Sequence, residues 1–400
     1  MSEAGSSRSA LMATYTPPDP VFVAGSGTEL TDEEGKRYLD FIGGLAVVSL
    51  GHAHPVVSAA VAEQAATLAH VSNLYKNALA PEVAVTIDRL VGGGTTRAGG
   101  QVFFCNSGAE ANECAIKLAR KWAGPGRHRV VTALGSFHGR TLATLAATGQ
   151  LEKHVPFAPV PEGFAHVPYD DIGSIALALE EAPAAAVLLE PIQGEGGVVV
   201  PSSDYLAKVR ELCDEHGALL ICDEIQTGLG RTGHWFAFQA RDLRPDIVTM
   251  AKALGNGMPV GACWARAEVA AAFGPGDHGS TFGGQPLALS AVRATLGVME
   301  AEDVCGRARR AGARLGAGLA GLPGVVEVRG AGLLLAARLD SDRAKEVAAR
   351  ALAEGLLVNA VRPDTIRVAP PLLVSDAEID QALGVLRRVV GEGRAQEGRS

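Results

Sequence analysis

The sequence predicts an α/β protein: a large domain with a mostly parallel sheet flanked by helices, and a smaller α+β domain. Three observations carry this. Short apolar runs over 129–134, 184–189, 218–222, 246–250 and 261–265 are bounded by polar loops. Runs of that length read as strands buried on both faces. Helical-period stretches separate several of them, for example 205–216 closed by Gly217, and this alternation means βαβ units. From about Pro286 the pattern changes to a long Ala- and Arg-rich helical stretch, then strand-like 325–339, a helix over 342–354, strands over 356–359 and 365–369, and a last helix. The boundaries predicted are 55–290 for the large domain and 1–54 with 291–400 for the small one.

In chain order, residues 1 to about 13 and the tail 391–400 read as disordered. The stretch 28–41 carries turn residues at 32–35 between apolar runs and reads as a β-hairpin. LGHAHP (50–55) leads into a helix opening at Pro55, a favoured first helical position. Val57, Ala60, Val61, Ala65 and Leu68 keep helical spacing and predict a core-facing side. A strand over 101–105 precedes NSGAEANECAIKLARKW. In that helix Ala111, Cys114, Ala115, Leu118, Ala119 and Trp122 share a face, and Gly124-Pro125-Gly126 stops it. Glu110 and Glu113 come early and Lys117, Arg120 and Lys121 late, as the helix dipole favours. Ser375 and Glu378 form a capping box for the last helix.

Composition narrows the function. The chain has 400 residues, is 47% hydrophobic and carries a formal net charge of −8, which argues against a nucleic-acid footprint. No apolar run has the length of a membrane span, and MSEAGSSRSALMATYT lacks the apolar centre of a secretory signal. The cysteines at 105, 114, 213, 222, 263 and 305 include no C-x-x-C pair and read as small core residues of a reduced, cytoplasmic protein. Gly228 to Gly233 matches G-x-G-x-x-G, but it does not close its strand directly and Pro245 interrupts the next segment, so it reads as a loop. His52-Ala53-His54 has no second pair of ligands nearby, and no metal site is expected. Zinc-hydrolase, P-loop and serine-hydrolase motifs do not occur.

Two charges stand out. The run 218–222 ends in Asp223 and the run 246–251 ends in Lys252. Open α/β sheets bind ligands at the carboxyl ends of their strands. An unpaired buried charge there costs on the order of several kcal/mol, so each needs a partner. A pyridinium aldehyde serves both, since its ring nitrogen wants a carboxylate and its aldehyde an amine; that ligand is pyridoxal 5'-phosphate. Ser107, Gly108 and Ala109, at a strand-to-helix junction, would meet its phosphate. Taken singly, Asp223 reads as a helix cap, Lys252 as a solvent-seeking side chain and Ser107 as an N-cap.

Five segments point together at one ligand: NSGAEANE (106–113), FHGRT (137–141), LEPIQGEGG (189–197), DEIQTGLGRTG (223–233) with AKALGNGMP (251–259), and HGSTFGG (278–284). Their order and wording resemble the class III aminotransferases, pyridoxal-phosphate enzymes of fold type I, over about 15–386. Within that class they look most like the acetylornithine aminotransferases. His138 favours that group, because ornithine δ-aminotransferases often carry Trp there.

The resemblance implies that Lys252 forms the Schiff base and shuttles the proton, and that Asp223 pairs with the pyridine nitrogen. Gln226 would bond the phenolic oxygen, Phe137 stack on the ring, and Ser107, Gly108 and Ala109 hold the phosphate, with Ser280 and Thr281 of a neighbouring subunit completing it in a homodimer. Arg367 matches the arginine that grips an α-carboxylate, Glu195 its alternating partner, and Arg140 a second carboxylate anchor. Glu190 would support Gln226 or Asp223, and Tyr15 and Asn73 line the substrate entrance. Gln285 stands where many relatives have Asn. The implied reaction is ping-pong transfer of the terminal amine of N2-acetylornithine, or a close acyl-diamino acid, to 2-oxoglutarate in arginine biosynthesis. The alternatives are ornithine, succinylornithine, succinyl-diaminopimelate or 4-aminobutyrate as donor.

Overall fold

The structure is a computed structural model that describes residues 10–397. Residues 1–9 of the segment read as disordered, and 398–400 of the tail, lie outside the described residues. The N-terminal strands β1 (Phe22–Ser26), β2 (Glu29–Asp32) and β3 (Arg37–Asp40) form an antiparallel meander. Asp32 closes its predicted turn, accepting from the amides of Glu34 (3.1 Å) and Lys36 (2.8 Å) and from the Tyr38 hydroxyl (2.8 Å). Helices α1 (Gly43–Ala46), α2 (Pro55–Thr67) and α3 (Leu79–Val91) come next.

The large sheet then assembles by alternation. The elements are β4 (Gly100–Cys105), α4 (Gly108–Ala123), β5 (Arg129–Ala133), α5 (Leu142–Ala147), β6 (Phe164–Val167), α6 (Ile172–Glu181), β7 (Ala184–Leu189), α7 (Tyr205–His216), β8 (Leu219–Asp223), β9 (Ile247–Met250) and β10 (Gly261–Arg266). Strand order is β4-β10-β9-β8-β7-β5-β6, with β10 antiparallel to both neighbours and the pairs from β9 to β6 parallel. Every residue of β7 and β8 is buried, as their unbroken apolar runs require. The parallel strands thus bring the loops after β5, β7, β8 and β9 to one edge.

After α8 (Ala267–Ala270) come α9 (Pro286–Ala301) and α10 (Val304–Ala320). The single long helical stretch expected here is broken at Asp303, which has φ +45° and caps α10 by accepting from Gly306 N at 3.0 Å. The strand-like 325–339 is a hairpin, β11 (Val325–Ala331) and β12 (Leu334–Leu339), turning at Gly332 (φ +54°). Then come α11 (Ala344–Ala353), β13 (Leu356–Leu357), β14 (Asn359–Arg362), β15 (Thr365–Val368) and α12 (Asp376–Glu397). The capping box forms, Ser375 N donating to Glu378 Oε2 (2.6 Å) and Glu378 N to Ser375 Oγ (3.3 Å). Helix α12 continues through much of the tail expected to be disordered. Strand β13 pairs with β3, tying the N-terminal meander to the C-terminal elements.

Other expectations are corrected. Strand β6 is not predicted by the sequence, because FAHV is short and interrupted by a histidine. Of the face expected to bury α2, only Val57 is buried, and Ala65 and Leu68 are exposed. The helix packs one side on α9, which leaves the rest of that face open to solvent. Trp122 is exposed rather than core-facing, since it lies in the last turn of α4.

The loop reading of 228–233 holds, and the loop has a structural role. Arg231 is buried and donates to Leu333 O (3.2 Å), to Ser49 Oγ (3.1 Å) and to Pro370 O, joining three distant segments. Replacing Arg231 with Met fills similar volume but leaves these acceptors without a donor. Arg231→Met should lower stability by about 2–4 kcal/mol in a urea unfolding curve.

Candidate active site

The carboxyl edge of the sheet opens on a cavity of about 480 Å³. Asp223 and Lys252 both line it, as do Ser107, Gly108 and Ala109. Asp223 ends β8 and is buried. Its Oδ2 accepts from Asn112 Nδ2 and from His138 Nδ1, each at 2.8 Å, and its Oδ1 from the Ile225 amide at 3.1 Å. These donors keep an anion tolerable in a desolvated place. Asn112 is itself fixed, donating to His138 O (2.8 Å) and accepting from Thr249 Oγ1 (2.7 Å).

Lys252 follows β9 at φ +43°, a left-handed conformation that is costly for a residue with a side chain. Burial pulls its ammonium below the usual lysine value; Glu195, Asp223 and Glu190 oppose this, and Arg367 adds to it. A lowered pKa leaves more neutral amine, the form that attacks an aldehyde.

Glu195 and Arg367 form an ion pair at 2.7 Å. Arg367, buried on β15, also donates to Gln226 Oε1 (3.2 Å) and to Asn359 Oδ1 (2.8 Å). Burial pushes the Glu195 carboxyl up, but Arg367 and Lys252 outweigh it and hold it below its usual range. Gly194 makes room for Gln226: a Cβ there would lie 1.6 Å from Gln226 Oε1. Glu190 bonds neither Gln226 nor Asp223. It accepts from Phe137 N (3.1 Å) and Gly194 N (3.4 Å), and burial, then the charge on Asp223, pushes its carboxyl well above the usual value.

At the start of α4, Ser107 Oγ caps the helix by accepting from Glu110 N at 3.2 Å. The amides of Gly108 and Ala109 have no preceding turn to bond and face the cavity. Gly139, at φ +143°, lets the 137–140 loop press on α4; a Cβ there would lie 2.8 Å from Ala109 Cβ. That loop brings Phe137 and Arg140 to the cavity, with the Arg140 guanidinium 5.6 Å from the Phe137 ring centre. No carboxylate among the described residues pairs with Arg140.

Ser280 and Thr281 line a separate hollow beside Asn106 and Glu110, so this chain does not bring them to its own Lys252. Tyr15 is 87% exposed and does not line the cavity. Asn73 lies off it as well, donating to Ser280 O (2.8 Å) and Gly283 O (2.9 Å). Gln285 accepts from the amides of Val71 (3.0 Å) and Ser72 (3.1 Å) and secures the same segment. His52 pairs with Asp40 at 2.8 Å.

Sequence reasoning did not find Asn112 as a holder of Asp223, nor Asn359 behind Arg367. Asn112 acts across a long sequence separation, and Asn359 reaches Arg367 only through strand pairing. Only the polar residue on an otherwise apolar face of α4 hinted at the first. Ile225, Val47 and Met258 also line the cavity without having been singled out.

The donor set fits pyridoxal phosphate. A buried, triply bonded carboxylate, a desolvated amine and a helix N-terminus share one cavity, matching its ring nitrogen, aldehyde and phosphate. The sequence profile of the family Aminotransferase class-III matches residues 13–390. The chain belongs to that family and is a pyridoxal-phosphate-dependent aminotransferase. It is 49% identical to an acetylornithine aminotransferase of Gloeobacter violaceus over 95% of each chain. It is 47% identical to one of Corynebacterium efficiens, over 96% of this chain and 95% of the other. A crystal structure of the ornithine aminotransferase of Toxoplasma gondii ME49 superposes with a TM-score of 0.91 at 35% identity, covering 97% of this chain and 94% of that one.

The raised Glu190 carboxyl has a consequence for stability. The folded state keeps a proton there at pH values where the unfolded chain has lost it, so this contribution shrinks as pH rises through that window. Glu190→Gln removes the dependence. In cofactor-free protein, the stability difference between variant and parent should therefore grow in the variant's favour as pH rises above the usual glutamate value.

Proposed function

We propose that the enzyme moves the terminal amine of N2-acetylornithine, or a close acyl-diamino acid, to 2-oxoglutarate, giving a semialdehyde and glutamate by a ping-pong route in arginine biosynthesis. The Arg367–Glu195 pair beside Lys252 carries this reading. A guanidinium already held by a carboxylate can exchange that partner for the α-carboxylate of a keto acid. With Glu195 in place the positive charge is masked, which suits a donor arriving amine first. With Glu195 displaced, Arg367 takes 2-oxoglutarate. Arg140, without a carboxylate partner at the cavity, serves as a second anchor.

The bound cofactor supplies an electron-withdrawing ring that stabilises the carbanion left when the substrate carbon loses its proton. Asp223 would face the ring nitrogen and favour its protonated form. Lys252 would hold the cofactor through its amine and serve as the base that moves the proton. Gln226 would bond the phenolic oxygen, Phe137 cover the ring face, and Ser107, Gly108 and Ala109 hold the phosphate. Ser280 and Thr281 complete the phosphate site of a second copy in a homodimer, which their placement outside this chain's own cavity supports. The β3–β13 pairing supports a small domain built from 1–54 and 291–400 beside a large domain over 55–290. Among the described residues no helix is long and apolar enough to cross a membrane, in keeping with a cytoplasmic place.

The 45–49% identity to curated acetylornithine aminotransferases favours that donor, and the similarity to an ornithine aminotransferase structure makes free ornithine the second reading. A donor panel with 2-oxoglutarate, read as glutamate formed, decides between them. N-acetylornithine should give a kcat/KM about tenfold or more above ornithine and 4-aminobutyrate. A preference for ornithine would overturn the first reading. Lys252→Ala should lose the visible absorbance of bound cofactor.

Glu195→Gln should improve apparent binding of 2-oxoglutarate by about three- to tenfold, since its carboxylate no longer meets a competing charge, and should slow the donor half-reaction. Stopped-flow measurement of the two half-reactions separates these effects. The Glu195 carboxyl is held below its usual range, so the pair persists at neutral pH and is lost only as pH falls through that lowered value.

A further inference from the structure

Behind Asp223 lies a group of buried polar atoms that the reaction scheme does not use. His138 gives Nδ1 to Asp223, and its Nε2 is buried with no hydrogen-bond partner. The same holds for Thr132 Oγ1 and His166 Nε2. Their residues lie in one region, with His138 close enough to His166 to act on it electrostatically. Thr132 on β5 and His166 on β6 are register partners in a parallel pair, so their side chains leave the same face of the sheet. Helix α5 covers that place, with His166 against the backbone of Ala146 and Ala147. Thr148, just after α5, ties both sides together. It accepts from His138 N through Oγ1 (2.9 Å) and from His154 Nε2 through its carbonyl (2.8 Å). The His154 ring centre lies 5.6 Å from that of His166.

Buried polar groups are rarely left without partners, and three within one small region share a common solution in buried solvent. Imidazole tautomers are set by the bond made at the other nitrogen. Where Nδ1 donates to Asp223, a hydrogen-bond donor beside Nε2 favours the tautomer whose proton sits on Nδ1. The Thr132 hydroxyl is able to donate toward that acceptor, and His166, its register partner, gives its ring N–H to the backbone of Ala146 and Ala147 and offers its other nitrogen to the same group. Burial, then the nearby charges of His154 and His138, lower the His166 pKa, so it is neutral and supplies one donor and one acceptor.

We propose that Thr132 and His166 are positioning residues for the cofactor-facing acid: they fix the tautomer of His138 and, through it, the charge and aim of Asp223. This rests on the reading that Asp223 meets the ring nitrogen of pyridoxal phosphate. Loss of the network weakens the hold on a protonated ring. The ring then withdraws fewer electrons, and the nitrogen that joins the cofactor to Lys252 becomes more basic.

The test uses purified enzyme loaded with pyridoxal phosphate. Visible absorbance is titrated from about pH 5 to about pH 10, and cofactor dissociation is measured alongside. Thr132→Val, nearly the same shape without the hydroxyl, and His166→Leu should raise the absorbance midpoint by about half a unit or more and weaken cofactor binding about threefold or more. Thr132→Ser restores the hydroxyl and should return both values to those of the parent. A Thr132→Val enzyme with parental midpoint and affinity overturns the proposal, as does one whose melting temperature alone changes. If His166→Leu does not fold, the Val and Ser pair at 132 decides. Asp223→Asn is the control: if it leaves the midpoint where it was, the placement of Asp223 at the ring nitrogen is what fails.

Discussion

The structure depends on satisfying one carboxylate where water does not reach. Asp223 closes a strand with every residue buried, and an isolated anion there would cost several kcal/mol or become protonated. Three donors from three elements answer this: Asn112 of α4, His138 of the loop after β5, and the Ile225 amide just beyond β8. The arrangement makes α4 serve two ends of one ligand. Ala109 and Asn112 are less than one turn apart, about 5 Å along the axis. In the proposed cofactor placement, the helix would offer amides to the phosphate at its first turn while Asn112 holds the acid for the ring nitrogen. Its position is set in turn by Gly139, whose lack of a side chain lets the 137–140 loop lie against Ala109.

The other charges of the cavity are arranged around that fixed anion. Burial, then the charge on Asp223, disfavours the ionised form of Glu190, while two backbone amides and Lys252 oppose this. Glu195 stays ionised because Arg367 is at hand. The two glutamates of LEPIQGEGG, five residues apart, are thus shifted in opposite directions by environment alone. Of the two, only Glu195 has a cationic partner, and in the proposed reaction that is the contact exchanged when the keto acid's carboxylate arrives.

Legibility from sequence followed the range of the interaction. Asp223, Lys252 and the Ser107-Gly108 junction announce themselves locally, as polar residues ending short apolar runs. The alternation that builds the sheet is equally plain, and only β6, with His166 in a four-residue strand, escapes it. Arg367 and Glu195 stand 172 positions apart and carry no local signal; the family resemblance named them, and the fold brings them to 2.7 Å. Asn112 looks like a polar interruption of an apolar helix face, because its partners at Asp223 and Thr249 are strands away. Arg231 sits inside a pattern that suggests nucleotide binding, whereas its guanidinium holds carbonyls of two chain segments and a serine of a third.

The α2 helix shows what a pattern of apolar residues does and does not specify. Its periodic face predicted burial without naming the surface that buries it. In this chain Leu68 is exposed at the end of that helix, and Leu74, Tyr75 and Phe282 are exposed on the 70 and 280 loops. Those loops are not loose. Asn73 bonds two carbonyls of the 280 loop, Gln285 bonds two amides of the 70 loop, and His70 meets Phe282 edge to face at 5.5 Å. A surface that is apolar, internally braced and open has paid for its order without yet excluding water, as the proposed homodimer interface would require. The 280 loop also carries Ser280 and Thr281 away from this chain's own cavity. In the proposed homodimer, covering the apolar face and delivering two hydroxyls to the other phosphate site become a single event, so cofactor binding and assembly would stabilise each other.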